Sequence, residues 1–364
     1  MSAQQWPLWL PLREDLRNLS PYGAPQLPAQ AVMNTNENPY PPSQELVDSI
    51  AARIAHIAKT LNRYPDRDAV VLRKKLASFI NEISGTGFDE SNIWAANGSN
   101  EIIQSLFMAF NGGPALGFTP SYSMHPLIAK VAQVTWLDGL RNEDFSLNIP
   151  RAVQEIQRHK PHLTFITTPN NPTGSTVTLE DIESLAQTTT GLLVIDEAYA
   201  EFSDERSAVT LIEKYPQIVV IRTMSKAFAF AGVRLGYLIA HPSVIDAMFL
   251  VRLPYHLSAL TQGAAEVALD FKDELLGTVA ALRLDREKVA QALRDLGMTV
   301  VPSSSNFLLF SGFEIPSARL WQMMLDKGVL IRDVGLLGYL RVTIGNEAEN
   351  QRFIDSLSAC LGEK

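Results

Sequence analysis

The order of apolar and polar positions divides the chain into three unlike stretches. Residues 1–40 show no periodicity, and Pro21, Pro25, Pro28, Pro39, Pro41 and Pro42 punctuate them. Each proline fixes φ and removes an N–H donor, so this stretch reads as an extended arm. From about residue 44 the pattern alternates. Residues 44–60 and 68–83 predict amphipathic helices. Short apolar runs follow at Ile93–Ala96, Ala115–Phe118, Leu163–Thr167, Leu192–Ile195, Ile218–Ile221 and Leu235–Ala240, with helical stretches at 100–110, 121–132, 150–159 and 178–189 between several of them. Strands that are apolar throughout are buried on both faces, and when helices separate them they make a mainly parallel sheet. Beyond a helix-rich span at 259–296 the character changes: strand candidates at 299–301, 306–310, 329–332 and 340–344 surround helices near 316–327 and 346–361. The expected fold class is α/β. A large domain at 41–270 surrounds a mainly parallel central sheet, a smaller α+β domain occupies 271–364, and the arm at 1–40 precedes both.

Composition narrows the class. A chain of 364 residues is long enough for two or three domains and for a core that needs no metal or disulfide staple. Hydrophobic residues at 46% and charged residues at 19% exclude a disordered, collagenous or coiled-coil chain. Lys and Arg number 31 against 39 Asp and Glu, a net charge of −8, which argues against a broadly basic nucleic-acid surface. The single cysteine, Cys360, has no intrachain partner and fits a reducing compartment. The N-terminus carries Pro7 and Pro11 and no basic residue before Arg13, unlike a secretion signal. The most apolar long stretch, 244–260, is broken by Asp246, Arg252, Pro254 and His256, so no membrane span is expected. The expected location is cytoplasmic.

Several common motifs are absent: no G-x-G-x-x-G follows a strand, and there is no P-loop, H-E-x-x-H or G-x-S-x-G. His159 and His162 flank Pro161 without Cys or acidic support, so they read as a solvated loop and no metal is expected.

Four segments do carry chemistry. Each lies just after a predicted strand, where ligands bind in an open α/β sheet. In Asn97-Gly98-Ser99-Asn100, Gly98 permits a tight turn, and the free N–H groups of the helix that follows form either an anion site or an ordinary capped start. Thr168-Pro169-Asn170-Asn171-Pro172-Thr173-Gly174 is stiffened by two prolines and projects amides, as a ligand loop or as a run of good turn formers. In Leu193-Val194-Ile195-Asp196-Glu197-Ala198-Tyr199, Asp196 ends an apolar strand, where an unpaired carboxylate is costly. A salt bridge, a helix cap or a ligand cation would relieve it. Thr223-Met224-Ser225-Lys226 sets a lysine among Ala227, Phe228, Ala229, Phe230 and Ala231, and Gly232-Val233-Arg234-Leu235-Gly236 follows. Desolvation lowers a lysine pKa as an imine-forming amine requires, although a packed stem with its head in water reads similarly. Together the four describe one ligand: a lysine for a Schiff base, an acid for a pyridinium nitrogen, donors for a phenolate-like oxygen and a phosphate cup. That ligand is pyridoxal 5′-phosphate.

On these residues the chain resembles the aspartate-aminotransferase-like (fold type I) enzymes that use this cofactor, over nearly its whole length. Within them it is most similar to the histidinol-phosphate aminotransferase subgroup, through the loop at 169–174, the strand end at 194–199 and the segment at 225–237. Ser20-Pro21-Tyr22-Gly23, Asn36-Glu37-Asn38-Pro39 and Arg63-Tyr64-Pro65-Asp66 narrow it further. The resemblance implies that Lys226 carries the cofactor as a Schiff base, that Asp196 pairs with the ring nitrogen, and that Asn171 and Tyr199 hold the ring hydroxyl oxygen. Arg234, Ser225, Thr223 and the N–H groups of Ser99 and Asn100 would bind the phosphate, with Tyr122 stacked on the ring. Tyr64 would reach that phosphate across the interface of a symmetric homodimer, to which the arm also contributes. Arg341 and Arg332, with Tyr22, Asn36 and Tyr255, would form the substrate pocket, since arginine suits both phosphate and carboxylate. His125 receives no role and reads as a packed or solvated side chain.

The implied activity interconverts L-histidinol phosphate plus 2-oxoglutarate and imidazole-acetol phosphate plus L-glutamate, in histidine biosynthesis, by a ping-pong cycle on Lys226. An aromatic amino-acid (phenylalanine) aminotransferase would share every cofactor residue, and a lyase or decarboxylase on the same fold would share most. A cofactor-sensing transcription regulator needs a DNA-binding domain before the cofactor domain, and the Pro-rich arm does not read as one.

Overall fold

The computed structural model describes residues 6, 7 and 9–362; residues 1–5, on which part of the arm expectation falls, lie outside the described residues, as do 8 and 363–364. The arm ends in a short strand, β1 (Ala31–Val32), and helices α1 (Gln44–Ala58) and α2 (Val70–Ser84) follow. The Ser43 hydroxyl accepts from the Leu46 N–H and caps α1, and the Asp66 carboxylate accepts from the Val70 N–H at the start of α2. The chain then alternates: β2 (Ile93–Ala96), α3 (Ser99–Ala109), β3 (Ala115–Thr119), α4 (Met124–Val131), β4 (Trp136–Leu140), α5 (Ile149–His159), β5 (Leu163–Thr167), α6 (Leu179–Thr188), β6 (Leu192–Asp196), β7 (Ile218–Thr223) and β8 (Gly236–Ile239). Three helices, α7 (Pro242–Val251), α8 (Ala259–Asp270) and α9 (Lys272–Asp295), lead to β9 (Thr299–Val300), β10 (Phe307–Ser311), α10 (Ser317–Asp326), β11 (Val329–Leu330), β12 (Leu340–Thr343) and α11 (Glu347–Gly362).

Strands β2 to β8 form a seven-stranded sheet in the order β2-β8-β7-β6-β5-β3-β4. Neighbours from β7 to β4 pair in parallel, and β8 runs antiparallel to both β7 and β2. Alternate residues of β6 face opposite sides: Leu193 and Ile195 join one apolar cluster, and Val194 joins another with Ile102, Phe107 and Phe165. Burial on both faces is what the unbroken apolar runs predict. The chain lays β4 outside β3 and returns to β5 on the other side of β3, so the connections leave in opposite directions at that point. The crevice beyond the C-terminal ends of such strands is the usual ligand position.

A second, antiparallel sheet has the order β12-β10-β9, and an isolated bridge joins Arg332 to Arg341 beside it. The structure differs from the pattern reading in three elements: helix α7, which starts on Pro242 under a His241 side-chain cap within a stretch too uniformly apolar to show a helical period, and strands β4 and β1. β4 was not expected, because Asp138 and Gly139 break its apolar run; it is an edge strand and its burial is partial. β1 was read only as extended arm, yet it pairs in parallel with β11, Ala31 opposite Val329 and Val32 opposite Leu330. Buried Ala31 and Met33 alternate with exposed Val32, a strand pattern too short to detect by periodicity. Among the described residues no helix is long and apolar enough to cross a membrane.

Gly236 lets α3 begin directly on the sheet: a Cβ there would lie 2.5 Å from Ser99 N and 2.6 Å from Gly98 C. Both atoms are backbone and cannot swing aside. Gly236→Ala is expected to destabilise the fold by about 1–3 kcal/mol, the usual range for overpacking, read as a lower urea midpoint at unchanged slope. An unchanged midpoint would mean that the start of α3 is free to shift.

Candidate active site

Four chain segments converge on the crevice because each begins where a strand stops. β6 delivers Asp196, β7 delivers Thr223, Ser225 and Lys226, the loop after β5 delivers Asn171, and α3 starts two residues after β2. They surround a cavity of about 610 Å³, which Tyr22, Asn36 and Tyr122 also line, with Arg332 and Arg341 from the C-terminal region. That volume lies within the ordinary range for a small-molecule site.

The Asp196 carboxylate is almost fully buried. Its Oδ2 lies 3.1 Å from Nε2 of His125, and its Oδ1 accepts from the Ala198 N–H at 3.2 Å. No lysine or arginine among the described residues pairs with it, although a buried carboxylate ordinarily demands one. His125 is buried, edge-on to Tyr122 and packed on Phe165. The sequence reading gave it no role; its contact with Asp196 spans 71 residues and leaves no local signal.

Lys226 is partly buried, and its Nζ donates to the Thr35 carbonyl at 2.8 Å. Burial, reinforced by the positive charges of Arg341 and Arg234, lowers its pKa to about 8, with Glu37 opposing. More of this amine is therefore neutral and nucleophilic near neutrality than of an ordinary lysine, although the protonated form still predominates.

Opposite stands a set of anion donors. Gly98, at φ 84°, begins α3 without any side-chain cap, so the first N–H groups of the helix keep their donor capacity. Arg234, at φ 59°, brings its guanidinium close enough that a Cβ on Gly98 would stand 2.7 Å from it. Its Nη1 donates to Ser225 Oγ at 3.4 Å and to the Ala231 carbonyl at 3.0 Å. The Thr223 hydroxyl donates to Ser225 Oγ at 3.0 Å and accepts from the Ser225 N–H at 3.1 Å, which fixes the turn.

Along the third wall, the Tyr199 hydroxyl accepts from Asn36 Nδ2 at 2.9 Å and from Asn171 Nδ2 at 3.5 Å. Burial raises the Tyr199 pKa. The Tyr122 hydroxyl donates to Asn100 Oδ1 at 3.1 Å, and burial raises that phenol too. Arg341 lies over the Phe307 ring and donates to Asn171 Oδ1 at 2.5 Å and to the Asn34 carbonyl at 2.8 Å. Its Nε is buried with no partner, and burial lowers its pKa to about 10. Arg332 is held beside it by paired backbone bonds of 2.9 Å.

Tyr255, expected in the substrate pocket, stands outside this cavity beside Tyr64, which is expected to reach the site of a second copy. Tyr64 and Tyr255 stack on each other with centroids 4.4 Å apart and do not line this cavity. Tyr64 is 79% exposed. Among the described residues no cluster of three or more His, Cys, Asp or Glu could hold a metal ion.

The arrangement offers an amine of lowered pKa, a buried carboxylate with no lysine or arginine partner among the described residues, a phenol with amide donors, and an uncapped helix start beside an arginine. Pyridoxal 5′-phosphate needs each of these, and the unpartnered Arg341 Nε adds a donor for a further anion.

Comparison with known proteins agrees with this chemistry. The family model for aminotransferase class I and II matches residues 29–357. The chain is 55% identical over 350 residues to the histidinol-phosphate aminotransferase of Mycobacterium sp. (strain JLS), covering 95% of this chain and 92% of that one. It is 54% identical over 356 residues to that of Corynebacterium glutamicum (strain R), covering 97% of each. Among solved structures, the histidinol-phosphate aminotransferase of Sinorhizobium meliloti in complex with pyridoxal-5′-phosphate superposes with a TM-score of 0.80 at 23% identity, over 92% of this chain and 91% of that one. A Thermus thermophilus aspartate aminotransferase double mutant gives 0.83 at 20% identity, over 96% and 99%. At these identities the structures share the fold.

The lowered pKa of Lys226 predicts a specific titration. Trace acetylation of the cofactor-free protein across pH, read by peptide mass spectrometry, should show Lys226 labelling with a midpoint near 8. Exposed lysines should titrate above about 10. A Lys226 midpoint among the exposed lysines would contradict the assigned environment.

Proposed function

We infer that this chain, which belongs to the class I and II aminotransferase family, interconverts L-histidinol phosphate plus 2-oxoglutarate and imidazole-acetol phosphate plus L-glutamate, using pyridoxal 5′-phosphate. The observation that carries the reading is the placement of Lys226 and Asp196 at adjacent strand ends, lining one cavity that also receives Arg332 and Arg341.

Bound there, the cofactor supplies an aldehyde carbon that joins to amines and a ring that accepts the electron pair of a breaking Cα–H bond. The remaining tasks belong to the chain. The N–H groups of Ser99 and Asn100, Ser225 Oγ and Arg234 bind the cofactor phosphate, and Thr223 fixes Ser225. Asp196 holds a proton on the ring nitrogen, and His125 keeps the carboxylate in position. Asn171 and Tyr199 hold the ring hydroxyl oxygen, Asn36 orients Tyr199, and Tyr122 covers one ring face. Lys226 carries the cofactor and, once displaced by substrate, takes the proton from the substrate Cα as general base. Arg332 and Arg341, with Tyr22 near them, bind the phosphate of histidinol phosphate in one half-cycle and a carboxylate of glutamate in the other. Guanidinium groups suit both anions, so one pocket serves two unlike substrates in a ping-pong cycle.

The active unit in this reading is a symmetric homodimer. Tyr64, turned away from its own cavity, completes the phosphate site of a second copy, and Tyr255 lies at the same interface. Exposed Leu61, Leu250 and Leu253 lie near them in sequence. The chain divides functionally into the arm at 1–40, the cofactor domain at 41–270 and the closing domain at 271–364. Its expected setting is histidine biosynthesis in the cytoplasm.

Steady-state assays with 2-oxoglutarate should give a much higher kcat/KM for L-histidinol phosphate than for L-phenylalanine. The reverse preference would establish the aromatic amino-acid reading instead. Lys226→Ala should lower kcat at least about a hundredfold, the low end of general acid–base contributions, and remove cofactor absorbance near 420 nm, where such imines absorb; retained turnover would refute the role of this lysine. Mixed dimers of Tyr64→Ala and Lys226→Ala chains should be more active than either parent dimer, because one site then keeps both groups. No gain on mixing would refute the shared site.

A further inference from the structure

We propose that Glu37 accepts the ring N–H of the substrate, and so selects an imidazole-bearing amino phosphate over one with a plain aromatic ring. This deepens the histidinol-phosphate reading and rests on it.

Three carboxylates line the cavity: Asp196, Asp333 and Glu37. Asp196 is engaged by His125 and the Ala198 N–H. Asp333 follows Arg332 in the chain and accepts from the Gly335 N–H at 2.8 Å. Glu37 Oε2 accepts from Thr35 Oγ1 at 2.8 Å, and no described residue hydrogen-bonds to its Oε1. Glu37 lines a cavity whose cationic groups, Lys226, Arg234, Arg332 and Arg341, outnumber its other two carboxylates.

Glu37 is exposed and its carboxylate is held by the Thr35 hydroxyl, while the backbone that carries it is fixed by its neighbours. Asn36 sits at φ 56° and is fully tied down. Its N–H donates to Thr343 Oγ1, its Oδ1 accepts from the same hydroxyl, its carbonyl accepts from Asn306 Nδ2, and its Nδ2 donates to Tyr199. On the other side of the pair, the Thr35 carbonyl accepts from Lys226 Nζ at 2.8 Å. Glu37 thus stands on the same wall as the reacting amine, near enough to oppose the lowering of its pKa. A backbone fixed this firmly presents the Glu37 carboxylate at the cavity, on the side of the reacting amine.

The substrate's chemistry matches. Its phosphate goes to the arginines, and its ring carries an N–H that needs an acceptor once water leaves. A carboxylate makes the stronger, charge-assisted kind of bond with that donor. A phenyl ring offers no donor and would leave the carboxylate desolvated and unpaired, which is how a polar site rejects an isostere.

The test uses the holoenzyme with 2-oxoglutarate and two amino phosphates that differ only in the ring: L-histidinol phosphate and its phenyl counterpart, 2-amino-3-phenylpropyl phosphate. The quantity read is the ratio of their kcat/KM values in the wild type, Glu37→Gln and Glu37→Ala. Glu37→Ala should lower the ratio about tenfold or more, mainly through the KM of histidinol phosphate, with Glu37→Gln between the two because it keeps an acceptor oxygen. A ratio within about twofold of wild type in both variants overturns the proposal. Equal losses for both substrates would also overturn it, since they would mean that Glu37 acts only through Lys226. A wild type that does not turn over histidinol phosphate defeats the functional reading itself, an outcome distinct from an unmoved ratio.

Discussion

A carboxylate buried at the end of a central strand, without a lysine or arginine against it, is the constraint around which this molecule is arranged. Burying Asp196 in that state is unfavourable by several kcal/mol unless something cationic meets it. The fold bears that cost on a sheet buried on both faces, where β6 is flanked by β5 and β7 and has no freedom to move its last residue away from the crevice. His125 and one backbone N–H orient the group. In the proposed reading a protonated ring nitrogen supplies the cationic partner from the cavity side.

The same logic extends to the other walls. An uncapped helix start, an arginine in the left-handed region and a lysine partly stripped of water are each unfavourable alone and complementary as a set. The C-terminal region is tied to them through the arm. β1 pairs with β11, Asn36 binds Thr343, and Arg341 reaches back to the Asn34 carbonyl and to Asn171. The arm therefore acts as a clasp between the loops around Lys226 and Asn171 and the arginines proposed to bind the substrate anion. Movement of the substrate pocket would be transmitted to Tyr199 and Lys226 through residues 34–37.

Much of this was legible in the sequence because the cofactor chemistry is written in short consecutive segments. Residues 97–100, 168–174, 193–199 and 223–236 each carry their own turn chemistry, and each follows a strand that periodicity predicts. The illegible parts are contacts between distant segments. His125 meets Asp196 across 71 positions, and Thr343 meets Asn36 across 307. Neither residue type signals such a partner locally. β4 escaped because an edge strand tolerates Asp138 and Gly139, and β1 because two residues are too few to show a period. Tyr255, expected in the substrate pocket, lies apart from the cavity of its own chain and stacks on Tyr64, whose expected place is the site of a second copy.

The central claim is electrostatic: Asp196 keeps a proton on the ring nitrogen of the bound cofactor. It is tested most directly by ¹⁵N NMR of the holoenzyme reconstituted with cofactor labelled at that nitrogen. A pyridinium resonance is predicted in the wild type at neutral pH, and a neutral pyridine resonance in Asp196→Ala. A neutral pyridine resonance in the wild type would contradict it.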